Sequence, residues 1–296
     1  MRKATLFLAC LVALICGTAL PAQGHGHDGH AHEVRPITEM ETGEFFTNNF
    51  VHLMPHQLSE GEVTFLTFYD VNLYQLIVLA ILCLVFLPLA VNPNIGGWPY
   101  RVLRGWVHWL RDEVVYKTMG EEEGRRFAPF FVFLFFFILT MNMIGLVPHQ
   151  VTSTATTMVT GALAVITFVM MVGGGILKQG VGSYFKHLLP SGLPAALIPL
   201  MALIELIGLF VKPIALTIRL FANMLAGHLL IYSFIGMIFV FAKLLDVSAM
   251  SWLPAIVTTV MAVFINIIES FVVVLQAYIF VFLSVMFVQE SLHPAH

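Results

Sequence analysis

IELIGLFVKPIALTIRLFANMLAGHLLI, residues 204–231, is the stretch that decides how this chain must fold. Nearly every side chain in it suits lipid, yet it carries Glu205, Lys212, Arg219 and His228, with Arg219 farthest from any water boundary. Arginine keeps its proton in proteins, and a charge at the centre of a spanning helix costs at least about 2.5–3.5 kcal/mol. Two explanations compete. In one, Arg219 snorkels to the headgroups or holds a structural ion pair. In the other it faces a partner or an aqueous cavity and acts on an ion, the reading that intramembrane charges favour by default. At about 100° per residue, Lys212 and Arg219 fall within about 20° of each other, and Asn223 and Ala226 continue the stripe. Glu205 lies about 40° away. Gly208, Ala215, Ala222 and Ala226 flank this polar seam and would let another helix approach closely.

Outward from that stretch, composition fixes the class. With 59% hydrophobic and 10% charged residues, the chain reads as an all-α integral membrane protein and excludes a soluble domain. The net charge of −3 gives no reason to expect nucleic acid as a partner. Cys10 and Cys16 fall in the leader and Cys83 in a lipid-length run, so neither a disulfide framework nor a zinc spacing is present. No cofactor is expected.

Residues 1–22 read as a secretory signal: Arg2 and Lys3, an apolar run from Ala4 to Leu20, then Pro21 and small residues. Cysteine lipidation is the weaker alternative, since neither leader cysteine sits in a good lipobox. An exported arm, residues 23–70, follows, with Phe45, Phe46 and Phe50 suggesting a short interfacial helix. It opens on GHGHDGHAHE, whose His25, His27, His30 and His32 are candidate zinc, copper or nickel ligands. Such a tract in a tail more often binds metal weakly and adventitiously, so no resident metal is expected.

The membrane-embedded part is expected in residues 71–296, with about five crossing helices. Leu73–Val91 is the first lipid-length run, closed by Asn92-Pro93-Asn94. Trp98–Gly120 is amphipathic: Leu103, Trp106, Leu110 and Val114 form a stripe, with Arg101, Arg104, His108, Arg111 and Asp112 off it. That suits a helix in the headgroup layer. Glu121–Arg126 reads as a solvated turn, Pro129–Val147 as the second run with Asn142 near its end, and Ala155–Leu177 as the third. The triplet Gly173-Gly174-Gly175 predicts close packing or a frayed end.

Six Lys and Arg lie between Asn92 and Arg126, none between Pro148 and Thr154, and two between Lys178 and Lys186. The positive-inside rule puts the first and last of these segments in the cytoplasm and the start of the chain outside. Pro194–Ala242 would reach about 73 Å as one helix, more than twice the hydrocarbon thickness. Either it breaks at Lys212-Pro213 into two passes, or it is one long tilted pass kinked by Pro213. The absence of a turn cluster favours the single helix, which leaves the C-terminus in the cytoplasm. Pro254–Val288 is the last run and buries Asn266, Glu269 and Gln276.

Pairing these two long helices antiparallel through the Lys243–Trp252 turn gives a geometric test. Arg219 to His228 is about 13.5 Å along one helix, and Glu269 to Gln276 about 10.5 Å along the other. If Arg219 is level with Gln276, His228 and Glu269 fall within about 3 Å of one depth, towards the outside. Glu205 lies about 21 Å from Arg219 in the opposite direction. A His/Glu pair relays protons when water reaches it; the plainer alternative is an ion pair that fastens the hairpin.

The segment LTIRLFANMLAGH, preceded by KP and an upstream Glu and followed by ESFVVVLQAYIF, resembles subunit a of the F-type ATP synthase. The likeness runs from about Phe65 to the C-terminus and includes NMIGLVP ending at Pro148. It implies that Arg219 is the stator arginine facing a rotor carboxylate, with Asn223 and Gln276 beside it. It implies that His228 and Glu269 line an outer half-channel and that Glu205 belongs to an inner one. Many bacterial relatives carry the His/Glu pair exchanged between the two positions, and many have Gly where Ala222 stands. The resemblance implies a non-catalytic proton-translocating subunit of a bacterial inner membrane. Its partners would be a ring of c subunits, peripheral-stalk b subunits and the rest of the complex. No G-x-x-x-x-G-K-[ST] phosphate loop occurs, so nucleotide chemistry belongs elsewhere.

Two rival classes have less support. A self-contained secondary cation or metal transporter would show an inverted repeat or paired broken helices, and neither is visible. An intramembrane protease would need a nucleophile within reach of a base; Ser270 beside Glu269 is not such a pair, and no G-x-S-x-G occurs.

Overall fold

The computed structural model describes residues 70–92, 96–146, 157–187, 197–244 and 252–293. The expected leader, the expected exported arm with its histidine tract up to residue 69, the Pro148–Thr154 loop and the Pro190-Ser191-Gly192 turn lie outside them. Every element among the described residues is helical. These are α1 (Asp70–Val91), α2 (Trp98–Trp109), α3 (Glu121–Gly145), α4 (Thr157–Gln179), α5 (Val181–His187), α6 (Ile198–Leu244) and α7 (Trp252–Leu292). Five of them, α1, α3, α4, α6 and α7, are long and apolar enough to cross a membrane. The protein is an all-α multi-pass membrane protein.

The amphipathic segment begins at Gly97, with Pro99 in the first turn, where a missing N–H costs nothing. Beyond Trp109 the helix widens into a π segment, Leu110–Tyr116, before a last α turn at Lys117–Met119. The wider turn buries Val115 together with Leu110 and Val114. On the outer side Arg111 donates to both carboxylate oxygens of Asp112 and lies over the Tyr116 ring. That bidentate contact holds the Asp112 carboxyl below its ordinary value.

Gly120, at φ 79°, turns the chain into α3. The expected turn at Glu121–Arg126 is helical instead. Three glutamates occupy the first turn, where the helix dipole favours anions, and Arg125 pairs with Glu121 one turn back at 2.6 Å. Gly180, at φ 82°, separates α4 from α5 in the same way. Pro213 does not break the long penultimate helix: α6 runs 47 residues through it. The Thr217 hydroxyl donates back to the Pro213 carbonyl at 2.9 Å.

The chain divides into two compact units. One comprises residues 77–140, 157–220 and 275–296 and holds most of the apolar core. Phe131, Phe135, Phe137 and Ile138 of α3 are buried there, as are Leu216 and Leu220 of α6 and Phe280, Val281 and Val285 of α7. Trp106 stacks on Phe135 at 5.8 Å between ring centres, and Trp109 meets Tyr278 at 5.6 Å, so α2 is fastened by aromatic contacts. The other unit takes in residues up to 76, 141–156 and 221–274. Its interior differs in kind, because Gln75, Asn142, His228, Thr258 and Glu269 are all buried in it.

Candidate functional site

α6 is the barest of the crossing helices. In its most apolar stretch 6% of residues are buried, against 56% in α3 and 44% in both α4 and α7. Ile207, Val211, Ile214 and Ile218 are exposed along it. Arg219 stands near the middle of this apolar segment and is itself exposed, with Ala215, Ala222 and Ala226 exposed on the same stripe. Asn223 is half-buried. Among the described residues, Arg219 has no hydrogen-bond or ion-pair partner. A guanidinium with five donors thus lies exposed on an apolar helix, flanked by alanines.

His228 and Glu269 lie within one compact unit, on α6 and α7, and are 7% and 6% exposed. The Glu269 carboxylate packs against the backbone of Gly227, the residue beside His228, where any side chain would collide with it. Neither Glu269 oxygen has a hydrogen-bond partner among the described residues, and the same holds for Gln75 Oε1 and for both amide atoms of Asn142. Each such orphan costs about 1–3 kcal/mol if left dry. Five together would consume the whole net stability of a domain, about 5–15 kcal/mol. Buried polar atoms of this kind are ordinarily satisfied by water. The Tyr232 ring lies 6.3 Å from that of His228, one turn further along α6.

The other unit supplies Arg219, Glu205 and Gln276. Glu205 is half-buried. Gln276 is 5% exposed, and its amide nitrogen has no acceptor among the described residues. Lys212, part of the polar seam, pairs with Glu290 of α7 at 2.7 Å and lies over the Phe287 ring. Where α7 ends, Gln179 donates to the carbonyls of Ser291 and Leu292, and Ser291 donates to Met171 O at 2.6 Å. Lys178 bridges Glu123 at 2.9 Å and His293 at 2.8 Å. Gly175 sits against Ser291 and Tyr184, which accounts for one member of the glycine triplet by close packing. Among the described residues no group of three or more His, Cys, Asp or Glu could hold a metal ion.

The sequence profile of the ATP synthase A chain family matches residues 72–289, which take in part or all of each of the five crossing helices. This chain belongs to the ATP synthase A chain family. It is 49% identical over 138 residues to ATP synthase subunit a of Myxococcus xanthus, a match covering 47% of this chain and 45% of that one. It is 46% identical over 143 residues to ATP synthase subunit a of Anaeromyxobacter dehalogenans, covering 47% and 37%. With ATP synthase subunit a of Bartonella quintana it shares 39% identity over 187 residues, 62% of this chain and 73% of the relative. The chain thus spans less than half the length of the first two relatives.

In this member of the ATP synthase A chain family, the polar residues of the two long helices fall into two groups. Arg219, Glu205 and Gln276 share one compact unit, and Asn223, His228 and Glu269 share the other. Sequence reasoning missed the contacts of Gly227 and Glu290 and the buried carbonyl oxygen of Gln75. Gly227 had a readable signal, a small residue directly before His228. Glu290 had none, because its partner is 78 positions away.

Proposed function

We propose that this chain is the stator proton-channel subunit of a rotary ATP synthase in a bacterial inner membrane. It would start outside the cytoplasm and end within it. The observation that carries this reading is Arg219, a permanent charge at mid-span on a bare, small-residue face of a helix from a chain of the ATP synthase A family.

In this mechanism protons enter from outside past His228 and Glu269 and reach an acidic side chain on a ring of small rotor subunits. That carboxyl, once neutral, can move into lipid. A carboxyl arriving from the other side meets Arg219, with Asn223 and Gln276 as polar neighbours, and the fixed cation favours its ionised form. The proton then leaves towards the cytoplasm by the route near Glu205. Arg219 also interrupts any continuous proton wire between the two routes. Each proton brings about 2.3 kcal/mol per 100 mV of membrane potential, so several must be gathered for one phosphorylation. That chemistry is done by other subunits, held to this one by a peripheral stalk.

The test is Arg219→Ala in the whole complex reconstituted into vesicles. Expected is an assembled complex that neither makes ATP from a proton gradient nor pumps protons when hydrolysing it. Normal coupled pumping by this variant would sink the proposal. Transport by the chain alone, without rotor subunits, would favour a secondary transporter.

A further inference from the structure

Gln75 has no part in the mechanism above, yet its surroundings ask for one. It is the sixth residue of α1, which is otherwise largely bare: Leu73, Leu76, Ile77, Ile81, Leu84 and Leu87 are exposed. The buried positions, Gln75, Val78 and Leu82, follow helical spacing and define one inward face. Two of the three are aliphatic, as packing alone would require. The third is an amide, 4% exposed, whose carbonyl oxygen accepts no hydrogen bond among the described residues. An interhelical amide bond would be the ordinary reason for a glutamine here, and among the described residues Oε1 does not make one.

The same compact unit supplies two more buried groups with that deficit. Asn142 is 0% exposed, with neither amide atom paired among the described residues, and the Glu269 carboxylate is likewise unpaired. Chain direction relates them. As the chain recrosses the membrane, the start of α1, the end of α3, the second half of α6 and the start of α7 come to one side. These are the segments the unit comprises. A donor for Gln75 Oε1, partners for both atoms of Asn142 and donors for two carboxylate oxygens are what water molecules supply together.

We propose that Gln75 lines a water-filled approach through which protons reach Glu269 from the exported side. Its carbonyl holds a water molecule at the entrance, so it is a positioning residue and does not itself exchange the proton. This assignment rests on the proton-channel reading.

The experiment uses the complete complex in vesicles, with Cys83→Ser to remove the cysteine of α1. Gln75→Cys is expected to react with a small, positively charged, water-soluble thiosulfonate added from the exported side. Passive proton flux through membranes stripped of the catalytic sector should then fall about tenfold, the scale of one lost hydrogen bond. Leu84→Cys, on the bare face of α1, should lose no flux under the same treatment. Gln75→Leu should lower flux by a similar factor, whereas Gln75→Asn should keep most of it. If Gln75→Leu fails to assemble, the thiol reaction of the Gln75→Cys variant still decides. A Gln75→Cys variant that does not react, or whose modification leaves flux unchanged, overturns the assignment. If Arg219→Ala meanwhile abolishes coupling, only the role of Gln75 falls; if Arg219→Ala stays coupled, the channel reading falls with it.

Discussion

Replacing Gly227 with alanine adds one methyl group at the most crowded point of the His228/Glu269 region. An ideal Cβ at that position lies 2.5 Å from Glu269 Cδ, closer still to Oε1, and 3.2 Å from Oε2. Carbon atoms pack comfortably at about 3.5–4.0 Å, so the carboxyl group must retreat by about 1 Å. Glu269 is 6% exposed and has little room to do so. Overfilling a packed site costs about 1–3 kcal/mol, and moving a reacting group by about 1 Å can cost on the order of a hundredfold in rate. Gly227→Ala should therefore assemble, lose a few degrees of thermal stability, and pass protons about 10- to 100-fold more slowly. The assay is passive proton flux in vesicles under an imposed potential, read with a pH-sensitive dye. Gly161→Ala is the matched control, since its Cβ would meet Thr217 Cγ2 at an ordinary 3.8 Å. Should Gly227→Ala match the parent in both flux and thermal midpoint, the packing of Glu269 against this glycine has no functional weight.

Other expectations follow from contacts already described. Lys212→Ala and Glu290→Ala, combined in a double-mutant cycle on the thermal midpoint, should give a coupling of about 0.5–1 kcal/mol, because Glu290 is largely exposed; a coupling of zero would mean the pair is not formed. Gly175→Ala should destabilise by about 1–3 kcal/mol through collision with Ser291 and Tyr184, while Gly173→Ala, with nothing near it, should be neutral. Equal thermal midpoints for the two variants would contradict that packing. Ser291→Ala should cost about 1 kcal/mol through the lost bond to Met171 O, measured by denaturation in detergent.

Much of the architecture was legible because lipid imposes a simple code. Long apolar runs become helices, and no cluster of turn residues interrupts residues 198–244, so Pro213 leaves the helix unbroken. The boundaries were less legible where charge and helix coexist. Glu121–Arg126 looks like a turn because it is charged, but i,i+4 pairing and the helix dipole make it helical. Arg219, His228 and Glu269 announced themselves as ionisable groups in apolar surroundings. Gln75 did not, since a single amide near the end of a run is ordinary until its burial is known. The pairings of Lys178 with Glu123 and His293 join distant parts of the chain through tertiary packing, for which local spacing carries no signal.

The bareness of α6 reaches beyond transport. A copy of this chain inserted alone presents an arginine and a row of alanines straight to hydrocarbon, a configuration penalised by at least about 2.5–3.5 kcal/mol. Orphaned molecules are therefore the less stable population, and membrane proteases that sample exposed, strained segments should clear them first. Pulse-chase labelling would show a short half-life without the rotor genes and a long one with them. An equally short half-life for Arg219→Ala under both conditions would transfer the blame from the charge to some other part of the helix.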